Sequence, residues 1–377
     1  MSLFVSNAED AMRRALKLAE RGIGLVEPNP AVGAVIINED GRILGEGWHE
    51  RFGGPHAEVM ALQQAGTAAR GATLVVTLEP CCHFGQTPPC TQSVLQAAIR
   101  RVIVATIDPA THARGLGIAE LRAGGVEVDV GLCAVEAQKL IAPFQKLLVT
   151  GRPWVHAKWA MTLDGKIAST SGKSQWISNE ASRQVVHRLR GRMDAILVGL
   201  GTVIADDPLL TVRPPGQRVP TRIVLDSTAQ TPLRSQLGCT ARSVPTMLVV
   251  TRSAPRQRCV ALAATGAEIL VISEDSNGHP DLRVLLAELG RRRMTNVLVE
   301  GGGQVLGGCF DQAVVDEVHA FIAPKVIGGS TAPSPVAGIG WPEMSDAISL
   351  EELSVEMLRG DLYLRGRIAR NVERTGS

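Results

Sequence analysis

Three short segments in the first hundred residues carry side chains that suit metal-assisted hydrolysis. They are His56-Ala57-Glu58, Pro80-Cys81-Cys82-His83 and Pro88-Pro89-Cys90. A hydrolytic zinc site needs three protein ligands and an open position for a water molecule, whose pKa the ion lowers to roughly 7. It also needs a carboxylate that moves protons without binding the metal. The spacing predicts three zinc ligands, His56, Cys81 and Cys90. It predicts Glu58 as the residue that carries protons.

The two predicted cysteine ligands are unusually far apart. Zinc deaminase signatures commonly end in C-x-x-C, whereas eight residues separate Cys81 from Cys90 here. The loop between them must bulge outward and return, and Pro88-Pro89 stiffens the return before a helix start. Because adjacent cysteines rarely both reach one metal, Cys82 is interpreted as structural. The four remaining cysteines receive the same interpretation: Cys133, Cys239, Cys259 and Cys309.

A second group of segments suits the binding of a phosphorylated cofactor. Glu300-Gly301-Gly302-Gly303 follows a predicted strand, and glycine-rich backbone before a helix start can approach a phosphate closely. A tight turn shows the same pattern, and residues 154–368 contain no G-x-G-x-x-G after a strand. The other segments of this group come earlier in the chain: Lys158–Lys166, Ser174–Ser178, Gly201-Thr202 and Asp206–Arg213.

The elements that must position these residues form two alternating series. The first opens with a helix, for which Ser6 and Glu9 provide an S-x-x-E capping box. A hairpin around Asp40-Gly41 follows, and strands and helices then alternate to about Leu148. Breaker residues at 150–153 predict a domain boundary. The second series has predicted strands near 154–160, 194–199, 221–226, 246–251, 268–272, 296–299 and 316–323, and helices near 179–191, 281–290 and 303–311. Such alternation predicts mostly parallel sheets with sites at the carboxyl ends of strands.

Composition limits the classes of partner. The chain has 377 residues, which suits two domains, and a net charge of +2 with only 3% aromatic residues. A nucleic-acid groove needs basic and aromatic side chains, so we expect no nucleic-acid partner. We find no apolar stretch of the ~18 residues that a membrane span needs and no secretory signal, so we expect a cytoplasmic protein that acts on small molecules.

The motifs resemble those of one known family. H-A-E followed by T-L-E-P-C-C-H-F-G-Q-T-P-P-C, together with Pro28-Asn29-Pro30, resembles the deaminase domain of bacterial bifunctional riboflavin-biosynthesis deaminase-reductases. The second group of segments, with Leu225-Asp226-Ser227 and Ala323-Pro324-Lys325, is similar to the reductase domain of that family. The resemblance implies an α/β protein of two domains. Residues 1–149 would form a cytidine-deaminase-like, three-layer α/β/α domain, and residues 150–377 a dihydrofolate-reductase-like α/β domain.

The resemblance also implies site residues. In the first domain the substrate contacts would be Asn29, His49, His83 and Asp108. In the second domain the cofactor contacts would be Ala160, Trp176, Thr202, Asp206, Ser227 and the stretch from Gly301 through Gly302 and Gly303 to Gly307. The substrate contacts there would be Lys158, Ser174, Arg190, Leu210, Arg213 and Glu300. Two arginines suit a ribose phosphate, because a guanidinium binds phosphate oxygens bidentately. The proton donor of the reduction stays open among Lys158, Asp206 and Glu300.

The implied chemistry is a pair of successive reactions. Zinc-dependent hydrolysis would remove the 2-amino group of a diaminopyrimidinone ribotide. NADPH would then reduce the ribosyl group to a ribityl chain. The family also implies a homo-oligomer.

Two departures from the family keep an alternative substrate open. Gln86 stands where the family usually has Lys or Arg, and Ala110 where it often has Asn. The deaminase could therefore act on another nucleotide-like metabolite. Two other classes of protein also stay open: a nucleic-acid-editing protein, which salt-dependent RNA binding would indicate, and a scaffold with a structural zinc. A structural site usually has four protein ligands, and here a set of three with Glu58 beside it favours an open position.

Overall fold

The computed structural model describes residues 3–111, 113–216 and 218–369. The chain divides into two compact units, which separate between Gly151 and Arg152. None of the helices in the described ranges combines the length and the hydropathy that a membrane crossing demands.

Unit 1 is a five-stranded sheet between two helical layers. Its strands are β1 (Gly33–Ile37), β2 (Ile43–Trp48), β3 (Thr73–Leu78), β4 (Arg101–Thr106) and β5 (Glu127–Val130). Its helices are α1 (Ala8–Ala19), α2 (Ala57–Ala65), α3 (Cys90–Gln96), α4 (Leu116–Ala123) and α5 (Ala134–Thr150). The strand order is β2-β1-β3-β4-β5. Strand β1 is antiparallel to both neighbours, whereas β3, β4 and β5 are parallel.

Successive side chains of these strands fill two different cores. Ile36, Leu74 and Val102 pack on one face with the alanines of α2. Val35 and Val75 point to the other face and pack with α1. Because side chains alternate along a strand, runs that are apolar at every position require helices on both faces. The three-layer arrangement therefore follows from these continuous apolar strands, and it is the one that the family resemblance implied.

The N-terminal helix differs from its predicted start. Asn7, and not Ser6, is the N-cap, and its side-chain oxygen accepts the backbone N–H of Asp10 at 2.8 Å. Asn and Ser are both favoured at this position, so the S-x-x-E pattern placed the cap one residue too early.

Unit 2 is a nine-stranded mixed sheet. Its strands are β6 (Trp154–Thr162), β7 (Ala195–Gly199), β8 (Thr221–Leu225), β9 (Thr246–Val250), β10 (Glu268–Val271), β11 (Asn296–Val299), β12 (Glu317–Ala323), β13 (Leu350–Leu358) and β14 (Asp361–Ile368). Its helices are α6 (Glu180–Arg190), α7 (Leu200–Asp206), α8 (Gln236–Cys239), α9 (Arg256–Ala263), α10 (Leu282–Arg291) and α11 (Gly303–Asp311). The strand order is β10-β9-β8-β7-β11-β6-β12-β14-β13.

The pairing in unit 2 changes from parallel to antiparallel at one edge. The seven strands from β10 to β12 pair in parallel. Strands β12, β14 and β13 then pair in antiparallel fashion. The sequence did not predict β13 and β14, or helices α7, α8 and α9. Most of β13 is exposed, so burial imposes no hydrophobic period that a pattern could reveal.

Two candidate active sites

The three predicted zinc ligands of unit 1 lie together. His56 is the N-cap residue of α2, Cys81 follows β3, and Cys90 is the first residue of α3. His56 Nδ1 lies 3.2 Å from Cys90 Sγ and 3.5 Å from Cys81 Sγ. The backbone N–H of Cys90 also donates to Cys81 Sγ at 3.4 Å. Residues that are 25 and 34 positions apart in the chain therefore present one nitrogen and two sulfurs to a common point.

These donor atoms fit a tetrahedral zinc ion. Zinc binds histidine nitrogen at about 2.0 Å and cysteine sulfur at about 2.3 Å, which places N and S about 3.5 Å apart at a tetrahedral angle. The observed separations of 3.2 and 3.5 Å are close to that value. A set of one histidine and two cysteines leaves the fourth position open.

Glu58 has the environment that a proton carrier needs. It lies in the first turn of α2, two residues after His56, and is only 3% exposed. Burial raises the pKa of its carboxyl above the usual range. A carboxyl group with a raised pKa can hold a proton and release it near neutral pH.

The start of α2 is fixed by close packing against β2. A Cβ atom on Gly47 would lie 2.3 Å from the carbonyl oxygen of Ala57, and one on Gly45 would lie 2.2 Å from that of Ala61. Only glycine permits this approach between strand and helix. The helix turn that carries His56 and Glu58 is therefore held directly on the sheet.

Two of the predicted substrate contacts of the deaminase adjoin the zinc ligands. The rings of His49 and His56 are 5.2 Å apart and nearly perpendicular. Asn29 Nδ2 lies 3.5 Å from His49 Nε2, and His49 Nδ1 lies 3.0 Å from the carbonyl oxygen of Pro55. Burial lowers the pKa of His49, so this ring is neutral at physiological pH. Asn29 and His49 thus present neutral polar groups beside the cluster.

The other two predicted contacts lie on loops. His83 is exposed on the loop between Cys81 and Cys90. Asp108 follows β4, and its Oδ1 accepts the backbone N–H of Ala110 at 2.8 Å. Ala110 is buried, with 4% of its surface exposed. Gln86 is exposed, and its side-chain oxygen lies close to Gly53. A Cβ atom on Gly53 would be only 2.4 Å from Gln86 Oε1.

Glu79 is a functional residue that sequence reasoning did not select. It is 5% exposed, and its carboxylate accepts backbone N–H groups from Asp108 at 3.1 Å, Gly115 at 2.9 Å and Ile118 at 3.2 Å. It therefore fixes the loop that carries Asp108 and the start of α4. The sequence offered one indication of this role, the position of Glu79 between the end of β3 and Cys81. A carboxylate that is buried at a strand end needs hydrogen-bond donors around it.

In unit 2 the predicted substrate residues Lys158, Arg190 and Glu300 form one buried cluster. Arg190 donates from Nε to Glu300 Oε1 at 2.5 Å and from Nη2 to Oε2 at 2.9 Å. Lys158 Nζ lies 3.7 Å from Glu300 Oε2. Burial would raise the pKa of Glu300, but the two cations outweigh it and lower that pKa to about 2. Burial also lowers the pKa of Lys158, against the attraction of Glu300.

The two arginines of this site differ in their contacts. Arg190 Nη1 donates to the carbonyl oxygen of Thr211 at 3.1 Å, so its guanidinium is shared between Glu300 and the loop after α7. Arg213 lies on that loop, where its backbone N–H donates to His187 Nδ1 at 3.2 Å. Leu210 lies on the same loop, just before Thr211; it is 3% exposed and has a φ of 50°. Arg190 thus holds the loop that presents Arg213.

Two adjoining cavities, of about 1430 and 940 Å³, contain the predicted reductase residues in their walls, except Gly307, which lines neither. Ser174, Thr202, Asp206 and Gly302 line both cavities. Ser227 and Gly303 line only the larger cavity. The walls of the smaller one alone include Lys158, Ala160, Trp176, Arg190, Leu210, Arg213, Glu300 and Gly301. Ser174 Oγ donates to Asp206 Oδ1 at 2.6 Å where the cavities meet.

The backbone at the start of α11 fits a phosphate group. Gly301 has a φ of 122°, and a Cβ atom there would have no neighbour within 4 Å. At Gly302, the N-cap residue, the nearest neighbour of such an atom would be Thr202 Oγ1 at 3.5 Å. Both glycines therefore present bare backbone to the cavities. Free N–H groups at a helix start bind phosphate, so these residues suit a dinucleotide cofactor.

A second group of metal-ligand side chains, His156, Glu317 and His319, lies inside unit 2. Their hydrogen bonds are already made within the protein. His156 Nε2 lies 3.2 Å from Asn296 Oδ1, His156 Nδ1 lies 3.1 Å from His319 Nε2, and His319 Nδ1 lies 2.7 Å from the Tyr363 hydroxyl. Glu317 accepts from Arg365 and from Trp154 Nε1. We interpret this group as a buried polar network, which a strand pattern alone does not predict.

Comparison with known proteins assigns a domain family to each half of the chain. A family described as the cytidine and deoxycytidylate deaminase zinc-binding region matches residues 5–106, and the RibD C-terminal domain matches residues 153–364. The riboflavin biosynthesis protein RibD of Aquifex aeolicus is 41% identical over 354 residues, which cover 94% of this chain and 96% of that protein. The Escherichia coli RibD is 40% identical over 331 residues, covering 84% of this chain and 88% of that protein.

Solved structures show the same relationship. Acinetobacter baumannii RibD superposes with a TM-score of 0.83 at 35% identity and covers 96% of this chain and 99% of its own. A diaminohydroxyphosphoribosylaminopyrimidine deaminase/5-amino-6-(5-phosphoribosylamino)uracil reductase from Thermotoga maritima has a TM-score of 0.81 at 34% identity, with the same coverage. The chain therefore belongs to the RibD family of bifunctional riboflavin-biosynthesis proteins, in which a zinc-binding deaminase domain is joined to a reductase domain.

Proposed function

We propose that the two sites act in succession on one pyrimidine ribotide. Unit 1 would hydrolyse the 2-amino group of 2,5-diamino-6-(5-phosphoribosylamino)pyrimidin-4(3H)-one. Unit 2 would then use NADPH to reduce the ribosyl group of 5-amino-6-(5-phosphoribosylamino)uracil to ribityl. The observation that carries this proposal is that one chain contains an open three-donor metal site beside Glu58 and a cavity lined by Lys158, Arg190 and Glu300.

In the deaminase the chain supplies positioning and proton transfer. His56, Cys81 and Cys90 would hold a zinc ion, which supplies a water molecule of lowered pKa beside the substrate. Glu58 would carry one proton to the pyrimidine ring nitrogen. A second proton passes through Glu58 to the departing amine, so that water and the amino compound become a carbonyl and ammonia. Asn29 and His49 would hold the neutral ring, and His83 and Asp108 the remainder of the ribotide.

In the reductase the chain orients the sugar and supplies one proton. NADPH would supply the hydride, with its phosphates at Gly301 to Gly303 and its remaining contacts at Ala160, Trp176, Thr202, Asp206 and Ser227. Arg213 would bind the substrate phosphate, because the guanidinium of Arg190 is already shared between Glu300 and Thr211. Ser174 and Leu210 would complete the substrate pocket.

Among the three candidate proton donors, Lys158 is the one we propose. The pKa of Glu300 is lowered to about 2, so its carboxylate has no proton to give near neutral pH. Asp206 accepts a hydrogen bond from Ser174. Burial lowers the pKa of Lys158, which makes its ammonium a better acid than an exposed lysine.

Domain limits, oligomeric state and compartment are also proposed. We assign residues 1–149 to the deaminase and 150–377 to the reductase, which the two compact units and the matched ranges support.

Strand β13 lies at a sheet edge and exposes Leu353, Val355 and Met357. An exposed apolar edge favours association, so we expect a homo-oligomer, and a monomer by light scattering at micromolar concentration would contradict this. All seven cysteines are free, which suits the cytoplasm.

The test follows ammonia and NADPH separately. The purified zinc-loaded protein is given the diaminopyrimidinone ribotide, first without and then with NADPH. We expect ammonia without NADPH, and NADPH oxidation once it is added. Glu58→Gln should lose ammonia release yet oxidise NADPH with the deaminated substrate, whereas Lys158→Met should do the reverse. Unit 1 has another substrate if the diamino ribotide yields no ammonia while NADPH is oxidised normally with the deaminated ribotide. The next step would then be to replace Gln86 by Lys and Ala110 by Asn.

A further inference from the structure

A segment without helix or strand, Lys325–Gly340, lies against the start of α11, and we call it the strap. Asp164 holds its beginning: Oδ1 accepts the backbone N–H of Ile327 at 3.2 Å and Oδ2 that of Gly328 at 2.7 Å. Lys166 holds its middle by donating from Nζ to the carbonyl oxygen of Ala332 at 3.2 Å. The strap is thus attached by charged side chains that follow β6.

Asp311, the last residue of α11, holds the end of the strap. Its Oδ2 accepts the backbone N–H of Ile339 at 2.9 Å, and its Oδ1 accepts that of Gly340 at 3.1 Å. A Cβ atom on Gly338 would lie 2.4 Å from Asp311 Oδ2, so only glycine allows the carboxylate to come this close. Both oxygens are therefore directed at strap backbone.

Two glycines of the glycine-rich stretch face the strap. A Cβ atom on Gly303 would lie 2.7 Å from the carbonyl oxygen of Ser334. A Cβ atom on Gly307 would lie 2.1 Å from that of Ala337. The backbone N–H of Ala337 donates to the carbonyl oxygen of Gly303 at 3.0 Å. Gly301 and Gly302 have the bare backbone that suits a phosphate, whereas Gly303 and Gly307 are glycine because the strap packs on α11.

The strap also forms part of the cavity walls. Pro333, Gly338 and Ile339 line the larger cavity, and Pro335 lines the smaller one. Ile339 is 86% exposed although it lies in that wall. Ile339 therefore lies at the open rim of the cavity, where a bound ligand can cover its apolar side chain.

We infer that the strap is a wall of the cofactor site and that Asp311 is a positioning residue for cofactor binding. The inference rests on the proposed use of NADPH. A carboxylate repels an anionic dinucleotide, so its presence in this wall requires another reason, and its two bonds to the strap provide one. Without Asp311 the strap from Gly338 onward loses its attachment to α11, and the wall at Ile339 is no longer held in place.

The experiment measures NADPH binding by the fluorescence of its nicotinamide in the absence of substrate. We expect Asp311→Ala to raise the Kd for NADPH by on the order of tenfold, equivalent to about 1.4 kcal/mol. Gly307→Ala should act in the same direction, because its methyl group must displace Ala337 although alanine favours a helix. Glu343→Ala is the matched control, since Glu343 is exposed and has no side-chain partner within the described residues.

Binding of the pyrimidine ribotide without NADPH separates a displaced strap from general damage to unit 2. We expect that Kd to stay unchanged in Asp311→Ala and Gly307→Ala. The inference is overturned if both variants bind NADPH within twofold of Glu343→Ala, or if the substrate Kd rises by the same factor as the NADPH Kd. Failure of the unsubstituted protein to bind NADPH would instead contradict the proposed function.

Discussion

Arg190 and Glu300 form a two-bond ion pair inside unit 2, with the side chains only 13% and 5% exposed. Arg190 lies at the end of α6 and Glu300 directly after β11, so the pair connects a helix to the sheet at the edge where the cavity opens. The same carboxylate lies 3.7 Å from Lys158 Nζ. One anion thus compensates two buried cations.

Replacement of Glu300 by Gln should be costly. It keeps the shape of the side chain but leaves Arg190 and Lys158 without their shared anion. Breaking a buried ion pair from one side costs about 3–5 kcal/mol, so we expect unit 2 to melt at a lower temperature and NADPH oxidation to be lost. Ammonia release is the control, and a variant that oxidises NADPH at the normal rate would contradict the role of this carboxylate.

Glu58→Gln should separate zinc binding from turnover. The amide keeps the size of the side chain but cannot carry a proton, and general acid–base catalysis contributes about 10²–10⁴-fold. We expect ammonia release to fall by at least a hundredfold while metal analysis still finds one zinc per chain. Loss of zinc from this variant would show that Glu58 is a ligand. Cys90→Ser, which removes a predicted ligand, is the comparison and should lose zinc.

Removal of the metal should affect only one of the two activities. A chelator that strips zinc from His56, Cys81 and Cys90 should abolish ammonia release. Oxidation of NADPH with the deaminated substrate should continue, because these three residues belong to unit 1 and line neither reductase cavity. Added zinc should restore ammonia release. A parallel loss of both activities would argue against a metal confined to the deaminase.

The buried network around His319 predicts a fall in stability in mild acid. Burial lowers the pKa of His319 to about 3, with His156 also opposing its charge and Glu317 partly offsetting both effects. The unfolded chain binds this proton near pH 6.5 and the folded chain only near 3, so the free energy of unfolding decreases as the pH falls through that window. Groups that face the ring are His156, Glu317, Arg365 and Tyr363.

The measurement is the melting temperature between pH 7 and pH 4. His319→Gln should be less stable at pH 7 and should show a shallower dependence on pH than the unsubstituted protein. His279→Gln, which changes an exposed histidine, should keep the original slope. Equal slopes for all three proteins would contradict the assignment of this acid sensitivity to His319.

Residue types with strict chemical demands were predictable from the sequence. The family, the two-domain α/β fold and the bifunctional enzyme class are confirmed. Few residue types bind zinc, which is why His56, Cys81 and Cys90 could be selected; the structure brings their donor atoms together, and their zinc binding stays a prediction. Apolar runs such as Thr73–Leu78 marked buried strands, and the structure has β3 over that range.

Features that depend on tertiary contacts were not predictable. The hairpin of β13 and β14 was missed because β13, Leu350–Leu358, is mostly exposed and carries charges without a clear alternation. The contacts of Glu79 join residues up to 39 positions away. The glycine-rich stretch was interpreted as a phosphate site or a tight turn, because the packing of Gly303 and Gly307 against residues 334 and 337 cannot be seen in a local pattern.

The loop between Cys81 and Cys90 is a place where the sequence of this protein can be altered. Both sulfurs are fixed outside the loop, one at the end of β3 and the other at the start of α3. The positions from His83 to Gln86 are exposed, and exposed loops tolerate changes of length and sequence far better than the elements that flank them. Residues 83–86 can therefore be exchanged or lengthened while Cys81 and Cys90 keep their places at the ends of β3 and α3, which makes this stretch a suitable target for a selection library.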